Sequence, residues 1–214
     1  MAEPLTLFGY GPSVYTRIVR MALAEMGLVA RYVEVDPFAD PVPDALLRVN
    51  PVGRVPVLRD GEFVLTETAA ILRYLDGLCP DPSRIPQDPR ASARMAQVMG
   101  VVDAYLYVPL VRRVFAHGFF APREGAPHDP DQIAHGLAEA APALALLERI
   151  AAEGLVLSGE PFTLADLHVA PMIDYAMRVP QARDALDGLP ALAAWWQGVR
   201  DRPSLVVTDP FKLQ

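Results

Sequence analysis

The chain has 214 residues, of which 52% are apolar, enough to bury one large hydrophobic core or two smaller ones. Its formal charge of -7, with no run of lysine and arginine, argues against nucleic acid or an anionic membrane surface as the main partner. No stretch approaches the roughly 18 uninterrupted apolar residues of a spanning helix, the opening residues lack a signal-peptide pattern, and the only cysteine, Cys79, forms no internal disulfide, so we expect a cytoplasmic protein.

The first 78 residues predict strands and helices in the order βαβ and then ββα. Gly27 suits the end of the first helix, and Pro37 breaks the second strand. Asp60 and Gly61 separate two apolar runs, as the turn of a β-hairpin does. The predicted segments are residues 5–8 (strand), 14–28 (helix), 30–38 (strand), 54–66 (hairpin) and 66–78 (helix).

The composition changes at residues 79–89, where four prolines in eleven residues predict a linker. Strand-like runs nearly vanish after this point, and long segments with helical periodicity follow. The sequence therefore predicts an α/β domain over residues 1–79, a linker over 80–88 and an all-helical domain over 89–214. The predicted helical segments are residues 89–120, 129–153, 163–178 and 189–202.

Two patterns in the second half bear on structure and on metals. Thr163 and Asp166 stand three residues apart ahead of an apolar run, which predicts a capping box at the start of a helix. The histidines lie at spacings that match no compact metal-ligand motif, so we predict no metal site. The four histidines are His117, His128, His135 and His168.

The chemistry is expected where the first strand meets the first helix, because backbone amides at a helix N-terminus favour anions. This junction is residues 9–13, Gly-Tyr-Gly-Pro-Ser. It lacks the third glycine of a dinucleotide-binding loop and the G-x-S-x-G pattern of a hydrolase. Ser13 is then either the helix cap or a hydrogen-bond donor to a bound anion, since one hydroxyl can hardly serve both in the same geometry.

Two further junctions point to a peptide ligand. The Val55-Pro56 bond lies between a loop and a strand, where a cis proline turns the Val55 backbone outward and lets it pair with a peptide. Residues 66–68 open the next helix with a carboxylate, a hydroxyl and free amides, which suit an α-amino group and an α-carboxylate. Together the three junctions indicate a tripeptide with a thiol and an amino-acid zwitterion.

These residues resemble the glutathione transferase superfamily over essentially the whole chain. The resemblance implies a thioredoxin-like first domain with mixed sheet and cis-proline, an all-helical second domain, and glutathione bound in a cleft between them. The segments that carry it are YGPSVYTRIVRMALAEMG, NPVGRVPVL, LTETAAILRYL, FTLADLHVAP and WQGVRDRPS.

The same resemblance assigns the glutathione contacts. Val55 would bond the cysteinyl backbone next to the cis-proline Pro56, and Arg54 would be a nearby polar contact. Glu67 and Thr68 would hold the γ-glutamyl end. Many relatives have serine after the acidic residue, and Thr68 keeps the hydroxyl with an added methyl group.

The catalytic position follows from the shared first helix. Ser13 falls where serine-type members keep the hydroxyl that stabilises the glutathione thiolate. Tyr10 is the rival, near the phenol of tyrosine-type members, and Tyr15 and Thr16 are lesser candidates. Because Ser13 stands where a thioredoxin has the first cysteine of Cys-x-x-Cys, dithiol exchange is not expected and the sulfur must come from glutathione.

The expected activity is transfer of glutathione to an electrophilic small molecule, or glutathione-dependent isomerisation or peroxide reduction, as in detoxification. By resemblance, Tyr105, Tyr107 and Arg112 line the electrophile site, and the chain forms a homodimer through the helix of Arg73. The alternative is a non-catalytic binding or assembly module of the same fold. Retention on glutathione resin with turnover of a chlorodinitrobenzene-type electrophile separates the two.

Overall fold

Strand β1 (Leu5–Gly9) lies at the centre of the β-sheet in the N-terminal half. In the computed structural model, which describes residues 4–79 and 81–212, this strand is buried along its whole length. It pairs in parallel with β2 (Ala30–Glu34) and antiparallel with β3 (Val57–Asp60), which in turn pairs antiparallel with β4 (Phe63–Leu65). The strand order β2-β1-β3-β4 confirms the predicted mixed sheet.

Three helices accompany this sheet, namely α1 (Val14–Glu25), α2 (Asp44–Val49) and α3 (Thr68–Leu78). Helix α2 lies in the proline-rich connection and was not predicted. The predicted hairpin turn is confirmed, since Asp60 pairs with Phe63 and Gly61 takes a positive φ of 55° that an L-residue rarely adopts. The Val55–Pro56 peptide bond is cis, as predicted.

The chain divides into two units, and its last helix belongs to the first. This unit runs to Ser83 and includes α10 (Pro203–Val207), whereas the second unit is Arg84–Arg202. Buried Arg17 of α1 donates from Nη2 to the Leu205 carbonyl at 3.0 Å. The domain limits at residues 79 and 89 remain predictions, and these contacts add α10 to the first unit.

The second unit is all-helical, as predicted. Four of its helices begin with proline, whose fixed φ and missing N–H are tolerated at the first helical position. In this unit, prolines therefore occur at the starts of helices as well as in the loops between them. No helix of residues 4–79 or 81–212 is both long and apolar enough to cross a membrane. The elements are α4 (Pro89–Val101), a π-helical segment (Val102–Phe120), α5 (Ala121–Arg123), α6 (Pro130–Glu153), α7 (Leu164–Ala176), α8 (Pro180–Asp187) and α9 (Pro190–Val199).

The π-helical segment continues the predicted helix of residues 89–120 with a wider winding. At its end the Ala121 N–H donates to the carbonyl of Ala116, five residues back. Pro109 lies inside the segment, where it has no N–H to donate. Apolar periodicity predicted a helix here but not its π winding.

The predicted capping box at the start of α7 is confirmed. The Thr163 N–H and hydroxyl both donate to Asp166 Oδ2, at 2.8 and 2.6 Å. The Trp195 indole donates to the other carboxylate oxygen at 2.7 Å. Burial raises the pKa of Asp166 above its ordinary value, against the opposing effect of these hydrogen bonds. The box is closed and buried inside the second unit.

Candidate active site

Ser13 is the N-cap of α1. Its Oγ accepts a hydrogen bond from the Thr16 N–H at 3.2 Å, and its own N–H donates to the Tyr10 carbonyl at 2.9 Å. Thr16 is buried, and its side chain forms a second bond to the turn: Thr16 Oγ1 accepts from the Tyr10 N–H at 3.2 Å. Thr16, in the first turn of α1, is therefore bonded to both the first and the last residue of the turn formed by residues 10–13.

Capping and donation are compatible at Ser13, which corrects the expectation that one hydroxyl can hardly do both. A hydroxyl has one donor hydrogen and two acceptor lone pairs. The cap bond uses a lone pair, and within residues 4–79 and 81–212 the Ser13 hydroxyl donates to no group. Ser13 is also only partly buried. The O–H thus remains available for an acceptor atom of a ligand.

Tyr10, the rival candidate, lies three residues earlier in the same turn. Its ring meets Phe38 edge-on, with the ring centres 5.9 Å apart at 72°. The Tyr10 side chain is partly buried, and Phe38 is mostly exposed. The structure therefore gives Tyr10 an aromatic contact and Ser13 the helix cap.

Glu34 is a site contact that sequence reasoning missed. Its Oε1 accepts from the Gly11 N–H at 2.9 Å, and its Oε2 accepts from the Tyr32 hydroxyl at 2.6 Å. The pKa of Tyr32 is raised far above its ordinary value, mainly by partial burial and secondly by this bond to Glu34. The contact follows from the parallel register of β1 and β2, which pairs Gly9 with Glu34.

The second junction is shaped by Asn50. Its Nδ2 donates to the Arg54 carbonyl at 2.8 Å, and its Oδ1 accepts from the Val52 N–H at 3.1 Å. The Arg54 side chain is exposed, and the backbone N–H and carbonyl of Val55 pair with no group of the described chain. Asn50 precedes Pro51, and an asparagine before a proline favours a turn. The junction presents one peptide unit with open hydrogen-bonding capacity.

The third junction has a strained backbone. Glu67 caps α3 with a φ of 65° and a ψ of 116°, a conformation that costs a residue other than glycine about 1–3 kcal/mol and is common at ligand clamps. The Glu67 side chain is exposed and Thr68 is buried, and neither side chain forms a hydrogen bond with described residues. No acidic residue lies in the first turn of α3. The N-terminus of this helix is open to an anion.

Strand register brings the three junctions to one end of the sheet. Phe8, near the end of β1, pairs with Val57 at the start of β3. Leu65, at the end of β4, pairs with the next β3 residue, Leu58. The turn of Ser13, the Val55–Pro56 bond and the start of α3 all continue from these strand ends.

The residues predicted to line an electrophile site lie in the second unit, on the π-helical segment. Tyr105 is 62% exposed, Tyr107 is partly buried and Arg112 is exposed. In residues 4–79 and 81–212, no group of three or more His, Cys, Asp or Glu side chains is arranged to hold a metal ion.

Family profiles match both halves of the chain. The glutathione S-transferase N-terminal domain matches residues 7–83, and the glutathione S-transferase C-terminal domain matches residues 130–197. A glutathione S-transferase of Pseudomonas putida is 31% identical over 86% of this chain and 80% of its own length. The chain belongs to the glutathione S-transferase superfamily, and the protein is a glutathione transferase with glutathione as its co-substrate.

Solved structures of glutathione S-transferases are similar to this chain over nearly its whole length. The theta class enzyme of Xanthomonas axonopodis pv. citri, solved with glutathione bound, is 27% identical and covers 100% of both chains with a TM-score of 0.78. Glutathione S-transferase I from maize, solved with an atrazine glutathione conjugate, is 26% identical and covers 97% of both chains with a TM-score of 0.80. These neighbours share the four-stranded mixed sheet and the helical second unit.

Proposed function

We propose that the protein binds glutathione at the three junctions of its first unit and stabilises the thiolate through the Ser13 hydroxyl. The observation that carries this proposal is the open donor of Ser13 at the end of the sheet where the other two junctions also lie. The thiolate attacks an electrophilic carbon, a carbon–sulfur bond forms, and the leaving group departs with its electron pair. The thiol proton passes to water.

One hydrogen bond from Ser13 and the N-terminus of α1 can together supply the free energy needed to lower the pKa of the glutathione thiol. A free thiol with a pKa near about 8.5 is only a few per cent ionised at neutral pH, and lowering its pKa by about 2 units takes about 2.7 kcal/mol. One hydrogen bond to a charged acceptor contributes about 1.5–3 kcal/mol, and a helix N-terminus adds about 0.3–1 kcal/mol. The site therefore needs no general base.

The remaining junctions would orient the tripeptide. The open N–H and carbonyl of Val55, next to Pro56, pair with the cysteinyl backbone, and Arg54 contacts its polar groups. Glu67 binds the α-ammonium of the γ-glutamyl end. Thr68 and the N-terminus of α3 bind the α-carboxylate, because the first amides of a helix favour an anion.

Conjugation is the reaction we favour over isomerisation and peroxide reduction, since one structural neighbour is described with a glutathione conjugate. Tyr105, Tyr107 and Arg112 line the electrophile site, and the physiological role is detoxification in the cytoplasm. The reducing cytoplasm keeps both glutathione and the lone Cys79 as thiols. Calorimetry with glutathione and turnover of chlorodinitrobenzene test the proposal. Absence of glutathione binding would overturn it.

We also propose a homodimer. Its support is two exposed apolar residues of edge strand β4, Phe63 (51% exposed) and Val64 (39% exposed), together with exposed Arg73 on α3. Exposed apolar side chains on an edge strand favour association. Sedimentation equilibrium should give twice the chain mass at micromolar concentration, and a monomer would contradict the proposal.

A further inference from the structure

Two side chains of β2 lie against the turn that carries Ser13. Tyr32 and Glu34 are two residues apart and so share a face of the strand. The parallel register pairs Tyr32 with Leu7 and Glu34 with Gly9, the last residue of β1. Strand β2 therefore brings a phenol and a carboxylate to the point where β1 passes into the turn.

Tyr32 and Glu34 contact the turn at two places. A Cβ on Gly9 would lie 2.9 Å from Tyr32 Cε2, so the tyrosine ring packs directly on the glycine backbone. The Glu34 carboxylate accepts from the Gly11 N–H at 2.9 Å with one oxygen and from the Tyr32 hydroxyl at 2.6 Å with the other. The carboxylate is thus held in place by Tyr32 while it fixes Gly11.

A charged group of α1 completes the arrangement. The Arg20 guanidinium carbon lies 5.5 Å from the centre of the Tyr32 ring, within the range of a cation–π contact. The Tyr32 phenol is protonated at neutral pH and donates to Glu34, and partial burial together with this bond raises its pKa further. The two Glu34 oxygens therefore accept from two different elements, one from the turn at Gly11 and one from Tyr32 of β2.

We propose that Glu34 is a positioning residue that fixes the Gly11 peptide and thereby the direction of the Ser13 hydroxyl. Glycine has the widest choice of backbone conformations, so the turn needs an external contact to hold one of them. Gly11 lies two residues before Ser13, and the Glu34 bond supplies that contact. This inference rests on the proposed role of Ser13 toward the glutathione sulfur.

The test compares Glu34→Ala, which removes the acceptor, with Glu34→Gln, which keeps an acceptor oxygen and removes the charge. Glu34→Ala should lower kcat about threefold to tenfold and raise the pKa of the bound glutathione thiol, followed by its thiolate absorbance, with little change in KM for glutathione. Glu34→Gln should stay near the parent in both readouts. Glu62→Ala, an exposed carboxylate in the β3–β4 turn, is the matched control and should change neither.

A double-mutant cycle decides whether Glu34 acts through Ser13. In a Ser13→Ala background, Glu34→Ala should leave the thiol pKa unchanged, because the hydroxyl it positions is gone. An equal effect in both backgrounds, equal loss in Glu34→Ala and Glu34→Gln, or no effect of Glu34→Ala would each overturn the inference. If Glu34→Ala does not fold, Tyr32→Phe keeps the ring on Gly9 and should give a smaller change in the same direction, and no change would overturn the inference. Failure of the parent protein to bind glutathione would instead overturn the proposed function.

Discussion

Within residues 4–79 and 81–212, two helices have a hydroxyl residue as the N-cap, and these two helix starts differ in how the cap is completed. At α7, Thr163 and Asp166 are 2% and 0% exposed, and the carboxylate accepts from Thr163 and Trp195. At α1, Ser13 accepts one cap bond, is partly exposed, and has no acidic residue in the first turn that follows. A helix start closed by its own carboxylate stabilises the fold, whereas one left open can receive an anion.

The largest expected effect is at the closed helix start. Asp166→Ala leaves two donors of Thr163 and the Trp195 indole without an acceptor in a buried place, so the free energy of unfolding should fall by about 3–5 kcal/mol. Urea unfolding followed by tryptophan fluorescence measures it. Asp184→Ala, on the exposed face of α8, is the control and should stay within about 0.5 kcal/mol. A loss below about 1 kcal/mol at Asp166 would mean that the closed box adds little stability.

At the open helix start the effect should fall on the reaction. Ser13→Ala removes the proposed donor to the thiolate, and we expect kcat to drop about 10- to 100-fold, with a loss of about 1 kcal/mol in stability from the missing cap. Ser13→Thr keeps both functions of the hydroxyl and should recover most of the rate. Tyr10→Phe, measured alongside, should stay near the parent. Normal turnover in Ser13→Ala with a slow Tyr10→Phe would transfer the role to Tyr10.

A third helix start, that of α3, should separate stability from affinity. Glu67→Gly relieves the positive φ, so the free energy of unfolding should rise by about 1 kcal/mol, while loss of the carboxylate weakens glutathione binding about tenfold. Glu67→Gln keeps the backbone strain and should weaken binding without the gain in stability. Calorimetry and urea unfolding give the two quantities. Unchanged affinity in both variants would remove Glu67 from the site.

The smallest expected effect is a difference in pH dependence. Because the pKa of Asp166 is raised in the folded protein, its contribution to stability is present below about pH 4, the ordinary pKa of aspartate, and is lost as pH rises through the folded value. The free energy of unfolding of the parent relative to Asp166→Asn should therefore fall as pH rises through this range. A difference that grows with pH would show instead that the hydrogen bonds outweigh burial.

Local patterns predicted turns and helix starts in both units. Asp60-Gly61 was identified as a turn because glycine tolerates a positive φ, and the Thr163–Asp166 box because its spacing matches one helical turn. Helix α2 was missed because its six residues lie between prolines. The π winding was missed because apolar periodicity does not distinguish hydrogen bonds to the fourth residue from those to the fifth.

The residues of the candidate site were proposed from the sequence, whereas the contacts that support them came from the structure. Ser13, Val55 and Glu67 each stand at a junction that sequence order reveals. Glu34 reaches Gly11 only through the pairing of two strands 25 residues apart in register, and no local pattern encodes that contact. The choice between cap and donor at Ser13 also needed the observed bond to Thr16, which uses a lone pair of the hydroxyl and leaves its hydrogen for the proposed donor role.

Because α10 belongs to the first unit, that unit cannot finish folding until α10 has been synthesised. Domains generally fold as units as the chain emerges, starting from the N-terminus. Here Arg17 is synthesised 188 residues before Leu205, whose carbonyl accepts from it. The unit that carries Ser13 is therefore started before the second unit and completed only after it. A chain that stops before Pro203 would lose an acceptor for the buried guanidinium of Arg17 in the first turn of α1.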